Sequence, residues 1–299
     1  MNQRLTLSTA LLLTVPPVLW AANAVVGRAV APLVPPLALN FLRWALAFVI
    51  LLPFAWQLLR ADSPLWSRFG RFAVLGFLGV GSYNALQYLA VKTSTPVNVT
   101  LVGSSMPVFM LVLGATFFGQ RITLRQVVGA VLSIAGVLVV LAHGEFDHLA
   151  QVRFVPGDVY MLIATAAWAV YSWLLTRPGD PAEIRSHWAR FLMAQLVPGL
   201  LWSGLFAAVE SGVTTQSIQW GWPLVAALAF IATGPAIVAY RCWGLGVQKV
   251  GPNIAGFFSN LTPLFAALFS AAFLGEPPQP YHAVAFALIV GGIVVSSQR

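Results

Sequence analysis

Aromatic and amide side chains stand where a nonpolar chain can least easily hide them. Trp20 and Asn23, then Tyr83, Asn84 and Gln87, then Trp168 and Tyr171, then Tyr240 and Asn260 interrupt long apolar runs. Ser104 joins them as a small hydroxyl. Such residues suit recognition rather than bond-making. A ring face is worth about 0.5–1.5 kcal/mol against another ring, and amides and hydroxyls can bond the ammonium and carboxylate ends of a zwitterion. The expected substrate-binding set is therefore Trp20, Asn23, Tyr83, Asn84, Gln87, Ser104, Trp168, Tyr171, Tyr240 and Asn260. Its chemistry fits a neutral or zwitterionic small solute with an apolar part.

Two arginines are candidates for an anion. Arg43 lies about 12 Å into its helix at 1.5 Å per residue, and Arg190 holds the equivalent place in the second half. Each is followed by an aromatic residue, Trp44 or Phe191. They are either ligands for a carboxylate or phosphate, or side chains reaching to the interface and to helix-end carbonyls. Acids are placed differently: Asp158, Glu210 and Glu276 fall near the ends of apolar segments, never in the middle. A proton-coupled exporter of cations normally exchanges both at a buried carboxylate, so this pattern favours a neutral or zwitterionic solute.

The elements that must carry these residues follow from composition. Of 299 residues, 59% are hydrophobic and 8% charged, against about 25% charged in an ordinary soluble domain. The chain is an integral membrane protein by this measure. The net charge of +8 comes from basic residues scattered singly, with no basic cluster of the kind a nucleic-acid groove needs. Cys242 is the sole cysteine, which excludes an internal disulfide. No phosphate-binding G-x-x-x-x-G-K-[ST] loop is present, and no cofactor, metal or enzymatic activity is expected.

Apolar segments long enough to span a bilayer, at about 20 residues each, fall near 6–27, 35–58, 70–91, 97–118, 124–142, 157–176, 188–209, 221–244, 253–274 and 281–297. The first resembles a cleavable signal peptide, but its full length and its counterpart at 157–176 favour a retained helix. The longest connection, His143 to Pro156, carries Glu145, Asp147, His148 and Arg153 and separates two halves, 1–143 and 157–299. Residues 84–140 align without a gap on 240–296, so Pro96 falls on Pro252, Pro107 on Pro263, Gly119 on Gly275 and Gly136 on Gly292. An odd number of spans per half makes the halves inverted repeats, a common plan for secondary transporters. The fold expected is all-α, ten transmembrane helices in two inverted five-helix repeats. Basic residues concentrate on the side of Arg4, Arg60, Arg68, Arg71, Arg121, Arg125, Arg177 and Arg185, which places both termini in the cytoplasm.

Helical spacing puts Gly76, Tyr83 and Gln87 on one stripe. Thr100, Ser104, Pro107, Leu111 and Gly114 form a second, matched by Gly256, Asn260, Pro263, Ala267 and Ser270. Pro107 and Pro263 are expected as mid-helix bends that let these helices gate a cavity. The plainer reading of the small and hydroxylated positions is close helix packing.

Arg43-Trp44 and Arg190-Phe191, with Pro107…Gly119-Gln120…Gly129…Gly136-Val137 and Pro263…Gly275-Glu276…Gly292-Ile293, resemble the EamA-type branch of the drug/metabolite transporters over nearly the whole chain. Gln120 stands where the second half has Glu276, and Ala285 where the first has Gly129. The sequence is most similar to the bacterial inner-membrane exporters of aromatic amino acids within that branch. The resemblance implies a ten-helix basket with a cavity formed by the first, third, fourth, sixth, eighth and ninth helices, the fifth and tenth packing at the far side. Export of amino acids by alternating access follows as the expected activity. It is facilitative, since no embedded carboxylate is available for coupling, and it is carried out by a monomer in the lipid bilayer. Proton-coupled efflux of drugs or toxic cations and a non-transporting membrane component are the alternatives.

Overall fold

The computed structural model describes residues 5–94, 96–142, 154–274 and 279–298, and every regular element among them is helical. The charged linker with Glu145, Asp147, His148 and Arg153, the Gly275-Glu276 pair and the side chain of Ser270 lie outside the described residues. The first half consists of α1 (Leu7–Val30), α2 (Pro36–Ala55), α3 (Pro64–Ser67), α4 (Phe69–Gly76), α5 (Tyr83–Thr93), α6 (Pro96–Gly103), α7 (Met106–Phe117) and α8 (Leu124–Leu141). The second contains α9 (Pro156–Leu174), α10 (Ala182–Arg185), α11 (Trp188–Val213), α12 (Trp222–Ile231), α13 (Ala239–Val250), α14 (Pro252–Phe258), α15 (Leu261–Leu274) and α16 (Pro280–Ser297). Pro36, Pro64, Pro96, Pro156, Pro252 and Pro280 each open a helix, where the missing N–H would be unpaired anyway and the ring presets φ. Thr123 and Gln126 close α8 with reciprocal side-chain caps.

Two continuous stretches contain a π turn: Phe77–Ser82 joins α4 to α5, and Ala232–Val238 joins α12 to α13. A π turn widens the helix by one residue and rotates everything after it. The expected stripe of Gly76, Tyr83 and Gln87 is broken for this reason. Gly76 faces Gln195 and Gly199 of α11, whereas Tyr83 turns toward α9. The fourth and ninth predicted spans are likewise interrupted, at Ser104–Ser105 and at Ser259–Asn260. Pro107 and Pro263 therefore lie in the first turn of a new half-helix rather than in mid-helix. The broken turns are bridged by hydroxyls: Ser104 and Ser105 donate to the carbonyls of Leu101 and Val102 at 2.6 and 2.5 Å, and Ser259 donates to Gly256 at 2.6 Å.

Among the described residues, seven helical stretches are long and apolar enough to cross a membrane: Leu7–Val30, Pro36–Leu59, Asn98–Phe117, Leu124–Leu141, Trp188–Val213, Trp222–Val250 and Pro280–Ser297. The remaining long stretches, 69–93, 156–174 and 252–274, carry Tyr83, Asn84, Gln87, Trp168, Tyr171 and Asn260. Leu11, Val49, Phe117, Leu124, Val131, Leu201 and Val213 point outward, while Asn40, Arg43, Asn84, Ser133, Asp158, Gln195 and Asn260 are buried. That distribution is the one hydrocarbon solvent requires.

The halves interlock. Helix α1 packs on α13 and α15 of the second half, and α9 packs on α5, α6 and α7 of the first. Helices α8 and α16 form an extended pair. A Cβ on Gly129 would lie 2.7 Å from the carbonyl of Gly292, one on Gly292 would lie 2.6 Å from that of Gly129, and one on Gly136 would lie 2.9 Å from that of Ala285. The pairs Gly129–Gly292 and Gly136–Ala285 run in opposite order, so the two helices are antiparallel. Helices α2 and α11 are antiparallel too: Glu210 reaches Leu37 and Ala38 at one end, and Arg190 reaches Gln57 at the other. Glycine at α8–α16 is a matter of space, because the backbones meet directly. Gly129→Leu should lower unfolding stability in detergent by at least about 1–3 kcal/mol, the usual cost of overpacking. Gly70→Ala, a helical position with open space around it, should change little in the same thermal melt.

Candidate functional site

Trp168 is the centre of the molecule's aromatic cluster. It is 3% exposed and is surrounded by Trp20 of α1, Tyr83 of α5, Tyr171 of α9, and Tyr240 and Trp243 of α13. Ring centroids lie 5.3 Å from Trp20, 5.1 Å from Tyr83, 5.0 Å from Tyr171, 5.3 Å from Tyr240 and 5.7 Å from Trp243. Trp20 and Tyr240 meet it edge to face, at 87° and 81°, the arrangement the ring quadrupole favours. Trp44 extends the cluster by an edge contact of 4.9 Å with Tyr240.

Three polar tips in this cluster, those of Tyr171, Tyr240 and Trp243, are held by particular neighbours. Tyr171 donates its hydroxyl to Gln195 Oε1 at 2.9 Å, and the amide of Gln195 donates to the Phe191 carbonyl at 2.9 Å. Tyr240 donates to the carbonyl of Gly79, within the first π turn. That turn needs glycine, since a Cβ on Gly79 would fall 2.7 Å from the Tyr171 ring. Trp243 Nε1 donates to Ser172 Oγ at 3.0 Å. The π turn thus supplies both a bare carbonyl and the room for a ring.

The five ring residues expected from sequence meet here. Asn84 lies at the margin, accepting from Arg43 NH1 at 3.4 Å. Asn23, one turn beyond Trp20, is half-buried with its Oδ1 unpartnered. Gln87 is half-buried on α5. Ser104 bonds back to its own helix, which is the packing role. Asn260 donates to Ser133 Oγ of α8 at 2.9 Å, and its Oδ1 is unpartnered. Arg190 is half-buried at one end of the molecule, where NH1 donates to the Glu183 carbonyl and NH2 to Gln57. Trp243 and Gln195 were not anticipated. Trp243 follows Tyr240 by three residues on a helix, and that spacing was the available signal. Gln195 is an amide in mid-span, which apolar surroundings alone should have marked.

Cavities open at the two ends. One of about 190 Å³ is lined by Gln57, Arg60, Asp62, Ser63, Glu183 and Arg190. The other, about 230 Å³, is lined by Pro35, Ala38, Glu210, Thr214, Gln216 and Ile218. Neither is lined by the rings, which pack on one another. Opposite ends are also tied differently. At one, Asp180, nearly buried, receives Arg71 and Arg185, the latter at 2.8 Å. At the other, Asp158 receives the Ser94 hydroxyl, Asn98 Nδ2 at 2.9 Å and the Val155 amide at 2.8 Å. Asp158 thereby fastens the start of α9 to the α5–α6 turn, a role that its end position alone did not suggest.

The sequence pattern of the EamA-like transporter family matches residues 7–142 and 155–298. The chain belongs to this family. It is 26% identical over 81% of its length, and 78% of the other's, to the aromatic amino acid exporter YddG of Ancylobacter novellus. It is 25% identical over 93% of its length, and 91% of the other's, to a protein of Salmonella typhimurium named a probable amino-acid metabolite efflux pump. A solved crystal structure superposes with a TM-score of 0.75, at 23% identity, covering 96% of both chains. The protein is a multi-pass membrane transporter of the EamA type, which points away from catalysis.

The hydroxyl of Tyr171 is the most exacting partner in the cluster. Tyr171→Phe leaves Gln195 Oε1 buried without a donor and should cost about 1–3 kcal/mol. Adding Gln195→Leu should recover part of that loss, so a double-mutant cycle on thermal unfolding should show coupling between them.

Proposed function

We propose that this protein exports amino acids, with aromatic ones preferred and a broad range of small metabolites accepted. Transport is by alternating access and is facilitative. The observation that carries this reading is the meeting of Trp20, Tyr83, Trp168, Tyr171 and Tyr240, drawn from both halves, at one buried point between two end cavities. Ring–ring contacts in such a cluster can be exchanged for contacts with an aromatic solute at little net cost. The names of the relatives from Ancylobacter and Salmonella support the solute class.

In this reading 1–143 and 157–299 are inverted five-helix repeats, giving ten spans, and both termini are cytoplasmic. Several contacts favour it. The swap of α1 and α9 onto the opposite half is what a pseudo-twofold axis produces, as is the reciprocal pairing of Gly129 with Gly292 and of Gly136 with Ala285. The two π turns also occupy equivalent places in the two halves. Asp158 and its partners then close the outer end, and Asp180 with Arg71 and Arg185 closes the inner one. Trp20, Trp168, Tyr83, Tyr171 and Tyr240 contact the solute's body, Asn23, Asn84 and Gln87 its polar ends, and the half-helices that begin before Pro107 and Pro263 act as gates. Ser104 and Asn260 contribute by holding those breaks.

Proton-coupled transport has in its favour the buried carboxylates of Asp158 and Glu210 at the outer end. Counterflow separates the two mechanisms. Proteoliposomes preloaded with unlabelled phenylalanine should take up labelled phenylalanine without any imposed pH gradient, and strict dependence on that gradient would replace facilitation by proton exchange. Trp168→Ala should reduce this flux at least about tenfold while the protein still inserts and folds. Each ring contact that it removes is worth about 0.5–1.5 kcal/mol, and about 1.4 kcal/mol is a factor of ten. Wild-type flux in that variant would remove Trp168 from the site.

A further inference from the structure

We infer that Arg43 anchors a carboxylate, so that the solute recognised at the aromatic cluster carries its negative charge beside Trp44 and Asn84. This rests on the solute-carrier reading above and deepens it by assigning the anionic end.

Arg43 is 2% exposed. It donates to Asn84 Oδ1 at 3.4 Å, a long bond, and its Nε is buried without a partner. Its Cζ stands 4.8 Å from the Trp44 ring, which touches Tyr240 and through it Trp168. The ion pairs among the described residues belong to Arg60, Arg71 and Arg185, and none involves Arg43. An arginine cannot relieve burial by losing its proton. A ring face and one long amide bond offset only part of the cost of a buried unpaired charge. A carboxylate would offset the rest, since the planar guanidinium fork donates two parallel bonds to its oxygen pair.

Arg190, its counterpart in the second half, also has a buried Nε without a partner, but its surroundings differ. It is half-buried, its terminal nitrogens bond Gln57 and the Glu183 carbonyl, and its cavity already contains the carboxylates of Asp62 and Glu183. Anionic solute has a reason to stop at Arg43 and none to stop at Arg190. The position of Arg43 also fixes an orientation. With the carboxylate held beside Trp44, the remainder of an aromatic amino acid extends past Tyr240 toward Trp168.

Purified protein in detergent, titrated with 3-phenylpropionate and with its neutral amide, tests the assignment by thermal stabilisation. Wild-type protein should respond to the acid at a concentration at least about tenfold lower than to the amide. R43Q should lose that preference through weakened acid binding alone, the amide response staying unchanged. R43K should retain part of the preference, because a lysine supplies the charge without the fork. Sodium chloride at matched ionic strength should give no shift.

The assignment is overturned by equal responses to acid and amide in wild-type protein, or by an undiminished acid preference in folded R43Q. Stabilisation by chloride equal to that by the acid would overturn it too, since the site would then take an inorganic anion. Should R43Q not fold, an R43K acid preference equal to wild type overturns it, and a reduced one supports it. Phenylalanine counterflow in the same preparations tests the export reading separately. A preserved acid preference without flux would reject export and keep the carboxylate site.

Discussion

A polar group facing hydrocarbon has no water to bond, and that constraint organises this chain. Helices satisfy every backbone group except at their ends and breaks, so among the described residues helices are the only regular structure. The same pressure turns Asn84, Gln195, Asp158 and Asn260 inward, where each finds a partner on another helix or turn. Interior bonds between helices are therefore few, specific and placed where the chain would otherwise fail.

Close packing supplies the rest of the cohesion. Lipid tails give helices no hydrophobic reason to associate, so small residues must let backbones touch. Gly129, Gly136 and Gly292 do this between α8 and α16, and Gly76 and Gly199 do it where α4 meets α11. The second set adjoins Gln195, which holds the Tyr171 hydroxyl. The centre is built in the opposite way, from the largest side chains, with Trp168 between two α1–α13 tryptophans and three tyrosines. Dense glycine contacts make a rigid outer frame, and the broad rings inside exchange one edge contact for another at small cost. A carrier requires both properties.

One interruption in the helices, the first π turn, lies next to that centre. The first π turn offers the Gly79 carbonyl to Tyr240 and makes room for Tyr171, and π turns are frequent at functional sites. The breaks before Pro107 and Pro263 leave backbone groups that Ser104, Ser105 and Ser259 satisfy from within the same chain segment. Proline then starts a fresh half-helix. Such joints can change angle without exposing an unpaired carbonyl, which a mid-helix kink cannot do as freely.

Membrane residence, helix positions and the identity of the ring residues were legible in the sequence, because each depends on local composition and period. Trp20, Tyr83, Trp168, Tyr171 and Tyr240 are conspicuous in apolar runs whatever their neighbours. Helical phase across a π turn was not legible: one extra residue in the turn separates Gly76 from Tyr83, and nothing in the local pattern announces it. Nor could spacing tell Arg43 from Arg190, which occupy matching places but differ in burial and partners. Asn260 reads like Asn84 in sequence, yet it bonds Ser133 of α8. Composition determines which side chains must be buried. Which partner each one meets depends on helix rotation and crossing, and these are set by contacts between residues far apart in the chain.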